Sequence, residues 1–100
     1  MVDLKKLQKE IYDNKVEHGF NVTDLKEEFC YTYGELSEAY MAWFKGKDDY
    51  GEELADVAIF LLGISEISGV DLEKEIIHKM EKNKKRKYEL KNGVPIRIEG

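Results

Sequence analysis

Residues 52–64 read Glu-Glu-Leu-Ala-Asp-Val-Ala-Ile-Phe-Leu-Leu-Gly-Ile, an acidic entrance running into the most apolar stretch of the chain. The one proline is Pro95, so nothing before the C-terminal end forbids long helices. A helix is predicted from Tyr50 to Ile67, with Asp49 and Glu52 as a loose capping box and Gly69 as its stop. As the most apolar segment it is predicted to be the central helix. Asp56 is the residue that stands out in it. Its neighbours are Ala55, Val57, Ala58, Ile59 and Phe60, which predicts a carboxylate at least half buried. An unpaired carboxylate in such a place costs several kcal/mol or takes up a proton.

Three more helices flank it. Leu4, Leu7, Ile11 and Tyr12 recur at helical spacing from Asp3 to Val16, and Gly19 is a suitable stop. Phe20-Asn21-Val22-Thr23 reads as a loop with Thr23 or Asn21 as the next N-cap. A second helix follows from Asp24 to Phe44, broken by Lys45-Gly46-Lys47-Asp48. Phe29, Cys30, Tyr33, Leu36, Tyr40, Met41 and Phe44 fall to its apolar face, and Cys30, Tyr33, Tyr40, Trp43 and Phe44 are predicted core residues. One of these aromatics, with Phe20, is the alternative candidate for stacking on a nucleobase. A fourth helix, capped by Asp71, is predicted to run to Tyr88. The tail Leu90–Gly100 carries the turn signal Asn92-Gly93, and Val94, Ile96 and Ile98 alternate beyond it, an extended arm or half a hairpin.

One hundred residues make one domain, and a domain of that size buries only about 60–65% of the surface its unfolded chain exposes. There is little room for both a core and a cleft, which predicts a partner subunit. A single cysteine excludes an intrachain disulfide. No stretch resembles a signal peptide or a membrane span, so a soluble, cytoplasmic protein with no membrane partner is expected. A net charge of −5 argues against general nucleic-acid binding.

The chemistry lies in two acidic pairs. Glu35 and Glu38 are spaced i, i+3 on the second helix, Glu53 and Asp56 likewise on the third. Each pair occupies one helical face. Packed face to face, the helices would point four carboxylates into one space, where they repel unless a cation sits between them. Mg²⁺, a hard ion that keeps waters and accepts phosphate oxygens, suits such a set, with Mn²⁺ as the alternative. Glu27, Glu28 and Glu52 read as ordinary solvated helix glutamates. Glu75-Ile76-Ile77-His78 is a Glu-x-x-His, but a di-iron bundle needs it twice and it occurs once.

Gly34-Glu35-Leu36-Ser37-Glu38-Ala39, then Glu52-Glu53-Leu54-Ala55-Asp56-Val57, then Asp71-Leu72 and Lys79-Met80 through Asn83 and Arg86 resemble the MazG-like all-α nucleoside triphosphate pyrophosphohydrolases. The likeness spans about residues 28–88 of a single domain 1–100. It implies an all-α, four-helix bundle-like domain with a short extended C-terminal tail. It also implies a magnesium-dependent enzyme that releases nucleoside monophosphate and pyrophosphate, a house-cleaning activity on nucleotide pools. In this reading Glu35, Glu38, Glu53 and Asp56 bind the metal, Glu38 doubles as the candidate base, and Lys79, Asn83 and Arg86 reach the triphosphate. A homodimer or homotetramer is implied as well. The family pattern has a further glutamate where this chain has Thr32, so Glu28, one turn earlier, is an additional candidate ligand. The competing reading is a non-catalytic helical module with a degenerate metal site, serving assembly or partner binding.

Overall fold

The computed structural model describes residues 1–100 as α1 (Leu4–Glu17), α2 (Leu25–Phe44), α3 (Tyr50–Ser68), α4 (Leu72–Lys84), β1 (Lys87–Lys91) and β2 (Val94–Glu99). Helix accounts for 66% of the chain. Three of the four helices begin on an aspartate in extended conformation. Asp3, Asp24 and Asp71 accept hydrogen bonds from the backbone N–H groups of Lys6, Glu27 and Lys74 at 3.1, 3.3 and 3.1 Å. Each satisfies a donor the helix would otherwise leave bare. The N-cap of α2 is therefore Asp24, not Thr23 or Asn21. Asn21 instead folds the preceding loop, its Oδ1 accepting from Asp24 N–H at 3.1 Å and its Nδ2 donating to the Asp24 carbonyl at 2.8 Å. Asp49 stands at the N-cap of α3 but makes no side-chain cap bond. Gly69 ends α3 in the left-handed region (φ 75°), which a β-carbon disfavours.

α2 and α3 form an antiparallel hairpin, reversed by Lys45–Asp49. α1 lies antiparallel to α3 but only along its C-terminal half. The buried Gln8 marks the crossing. Its Nε2 donates to Glu66 Oε1 (3.1 Å) and the Val70 carbonyl (2.6 Å), and its Oε1 accepts from Leu72 N–H (3.3 Å). One amide side chain thus ties α1 to α3 and to the start of α4. The first turn of α4 is pinned further by Glu73, whose carboxylate accepts from Leu4 N–H at the N-terminus of α1 (3.2 Å). Beyond that turn α4 projects away from the other helices.

A four-helix bundle is thus realised only in part. Three helices share a core, and α4 with the hairpin forms an arm. The radius of gyration is 17.0 Å, against about 13 Å for a compact chain of this length. Leu62, Gly63, Ile64 and Ser65 of α3 are buried, Gly63 against Ile11 and Lys15 of α1, and α3 is central as its sequence implies. Where α1 does not reach, nothing covers the α2–α3 pair. Trp43 and Phe44 are 59% and 67% exposed, Tyr33 and Tyr40 are exposed too, and so is Cys30, contrary to their assignment to the core. α4 stops at Lys84, not Tyr88, because the chain turns into a complete hairpin. Lys87–Lys91 pairs antiparallel with Val94–Glu99 around Asn92-Gly93, both at positive φ (53° and 77°), the backbone that a tight two-residue hairpin turn requires. No helix is long and apolar enough to cross a membrane.

Candidate metal centre

The α2–α3 reversal places Glu38 opposite Glu53 and Glu35 one turn deeper. Gly46, at φ 65°, ends α2 with its N–H on the Trp43 carbonyl at 3.1 Å. Lys47 N–H then closes on the Ala42 carbonyl at 2.8 Å. The small Ala39 and Ala42, both buried, let the helices approach beneath the acidic residues. As a result one carboxylate oxygen each from Glu35, Glu38 and Glu53 lies within 4.8 Å of the others. Glu38, Met41, Ala42, Lys47, Asp49 and Glu53 line a depression of about 210 Å³ beside them.

The electrostatics follow from that convergence. Desolvation raises the Glu35 carboxyl above its ordinary value, and the charges of Glu38, Asp56 and Glu53 raise it further. Glu53 is raised likewise by desolvation, then by Glu38, Asp49 and Asp56, with Lys47 opposing. Glu53 Oε2 is buried and has no hydrogen-bond partner. A buried acceptor without a donor calls for a proton or a cation. Oxygen donors alone, from carboxylates on two rigid helices, are the set a hard divalent ion prefers. Glu35, Glu38 and Glu53 could hold such an ion. Asp56 stands outside the closest group, near enough for its charge to act on Glu35 and Glu53.

Two sequence expectations change here. Asp56 is exposed, not half buried, because the N-terminal half of α3 has only α2 beside it. Glu28, read as a solvated glutamate or a spare ligand, is the most buried large side chain, at 1% exposure. Lys15 of α1 forms an ion pair with it, their side chains 13% and 2% exposed, and Asn21 Nδ2 donates to its other oxygen at 3.1 Å. Those partners hold it away from the acidic cluster. Thr32, on the same face between Glu28 and Glu35, donates its hydroxyl to the Glu28 carbonyl at 2.8 Å. The pair Lys15–Glu28 lines a cavity of about 350 Å³ between α1, α2 and α3, otherwise walled mainly by Leu7, Ile11, Phe20, Ile59 and Phe60. Gln8 carries no signal in the sequence, since it gains its role only when α1 packs on α3.

The basic residues do not join the acidic cluster within one chain. Lys79 and Asn83 are exposed on α4. Arg86 lies beyond the helix end, its N–H on the Asn83 carbonyl at 3.1 Å and its side chain against Gly100. Lys79 is lowered by Arg86, then by desolvation and by Lys82 and Arg97, with no carboxylate among the charges acting on it. No α4 charge figures among those acting on Glu35 or Glu53. His78 and Glu75 are exposed and gather no further metal-ligating residues, so the lone Glu-x-x-His builds no second cluster. Comparison of the chain with family models, curated proteins and solved structures finds no match.

Proposed function

We propose that this chain is a magnesium-dependent nucleoside triphosphate pyrophosphohydrolase of MazG type. The convergence of Glu35, Glu38 and Glu53 from two antiparallel helices, with a buried and partnerless Glu53 oxygen, is the observation that carries the reading. The order of acidic pairs and basic residues along the sequence supports it. Glu35, Glu38 and Glu53, with Asp56 at the rim, would hold Mg²⁺, which when bound neutralises phosphate charge and acidifies water. Glu38, the exposed member, would accept a proton from water entering the depression. Water adds to phosphorus, a phosphoanhydride bond breaks, and nucleoside monophosphate and pyrophosphate leave. Lys79, Asn83 and Arg86 would offset charge on the phosphates, Arg86 through paired donors.

The test is pyrophosphate release from a panel of nucleoside triphosphates with and without Mg²⁺ or Mn²⁺. Metal-dependent release that Glu53→Gln abolishes is the expected outcome. No release from any triphosphate would favour the second reading, a non-catalytic assembly module. That reading draws on Thr32, whose hydroxyl is tied to the backbone where the family pattern has a carboxylate.

A further inference from the structure

Every residue of β1 and of β2 is exposed in the isolated chain. A two-stranded ribbon on its own is marginal in water. Its two edges differ. Asn92-Gly93 is a two-residue turn, so Lys91 and Val94 flank it as a hydrogen-bonded pair, and Glu89 with Ile96 is the next. The residues between turn their backbone groups outward: Tyr88 and Leu90 on β1, Pro95 and Arg97 on β2. The β2 edge is blunted twice. Pro95 has no N–H to offer, and Ile98 is an extra residue where the register shifts. The β1 edge carries neither device. Tyr88 and Leu90 are 55% and 72% exposed there, and no third strand pairs with them.

An open edge can take another strand, and the sequence of β1 decides which. Lys-Tyr-Glu-Leu-Lys can meet itself antiparallel, about a two-fold axis, in three registers that set outward residues against outward residues. Centred on Glu89, the axis sets Glu89 against Glu89 and Lys87 against Lys91, like charge on like. Centred on Leu90, it sets Tyr88 against Asn92, a turn residue at φ 53°. Centred on Tyr88, it sets Tyr88 against Tyr88 and each Lys87 against the other copy's Glu89, opposite charges on both sides of the axis. We propose that two copies of this chain join their β1 edges in this last register, as a four-stranded antiparallel sheet in the order β2-β1-β1-β2. The two Tyr88 rings become cross-strand neighbours, with Leu90 of each copy on the same face. Lys87, which meets Glu99 across its own hairpin at 3.4 Å, then stands between two carboxylates. Charge complementarity selects both the partner and the register, and nothing in the contact depends on what the acidic cluster binds.

The test is disulfide trapping in the full-length protein with Cys30→Ser, so that no other thiol competes. One variant carries Lys87→Cys and the other Glu89→Cys. In the proposed register, position 87 of one copy and position 89 of the other form a non-hydrogen-bonded pair, whose Cα separation of about 4.5 Å suits a disulfide. The hybrid also keeps one intact Lys87–Glu89 charge pair. In a glutathione redox buffer at micromolar protein, the mixture is expected to give a mixed-disulfide dimer. Its yield should exceed that of either variant alone by roughly tenfold or more, because pairing holds the two thiols at about millimolar effective concentration. Adding Tyr88→Pro to both variants removes the central edge donor and none of the hairpin's own hydrogen bonds. It should abolish the mixed disulfide and leave the helical circular dichroism unchanged. No disulfide in the mixture overturns the proposal, as does an equal yield in the mixture and in the separate variants. Glu89→Cys linking to itself marks the Glu89-centred register and overturns the charge argument. A mixed disulfide that survives Tyr88→Pro shows that the copies meet otherwise than by their edges, and overturns the proposal too. A dimer held through its helices alone gives no position-specific bond and counts against the proposal.

Discussion

The Lys15–Glu28 pair sets a prediction that separates structure from chemistry. Glu28 is 2% and Lys15 13% exposed at the side chain, so the carboxylate has almost no water to fall back on and the ammonium only a little. Lys15→Met leaves the Glu28 carboxylate with the Asn21 amide alone. Removing one partner of a buried ion pair costs about 3–5 kcal/mol. In a domain of this size each kcal/mol moves Tm by about 4–8 °C, so a drop of roughly 12 °C or more is expected. Glu28→Gln should cost less, about 2–3 kcal/mol, because Lys15 keeps some solvent access, lies 5.6 Å from the centre of the Phe60 ring and retains a neutral acceptor. Lys15→Met with Glu28→Leu removes both charges and should recover most of the loss. Thermal unfolding at fixed protein concentration measures all four proteins, and Mg²⁺ titration accompanies it. The variants that still fold should bind Mg²⁺ as wild type does, since the pair lies outside the acidic cluster. If Glu28→Gln leaves Tm unchanged and abolishes Mg²⁺ binding, Glu28 is a ligand and the reasoning fails.

Other perturbations probe the cluster itself. Mg²⁺ at ten times its dissociation constant should stabilise the protein by about 1.4 kcal/mol by mass action, a Tm rise of roughly 6–11 °C, and Asp56→Asn should reduce that rise; an equal rise in both removes Asp56 from the site. Without metal, stability should increase as pH falls from neutral toward the ordinary carboxylate range. The raised Glu35 and Glu53 contribute stability below their unfolded values and lose it as pH rises through their folded ones, so a pH-independent Tm in chelator, or one that falls on acidification, would contradict this. Because Glu28 is committed to Lys15, Thr32→Glu should tighten Mg²⁺ binding by adding a charged oxygen one turn from Glu35, and calorimetry showing weaker binding would count against it.

What was legible in the sequence is what one helix decides alone. Asp71 and Gly69 mark helix ends because capping is local, and Asn92-Gly93 marks the hairpin because only a few residues tolerate positive φ in succession. The i, i+3 carboxylate pairs were legible for the same reason, and two antiparallel helices sufficed to bring three of the four together. Burial was not legible, since it depends on a third element. Asp56 and Trp43 have apolar sequence neighbours, but α1 ends before it covers them. Glu28 looks like a surface glutamate until α1 sets Lys15 against it. The strand Lys87–Lys91 was hidden within a basic run that continues the pattern of α4.

The two charged clusters share one defect in the isolated chain. Glu35 and Glu53 are held above their ordinary values partly by other carboxylates, and Lys79 is held below its own chiefly by Arg86. Each group of like charges makes the folded chain less favourable than a random scatter of the same residues would. Local conflicts of this kind, in a protein whose caps and turns otherwise agree with its fold, concentrate where function or assembly requires them. A divalent ion would relieve the acidic conflict, and phosphate the basic one. A site that contains both relieves them together, because the ion and the phosphate also bind each other. The conflicts lie on separate elements, each flanked by exposed apolar side chains.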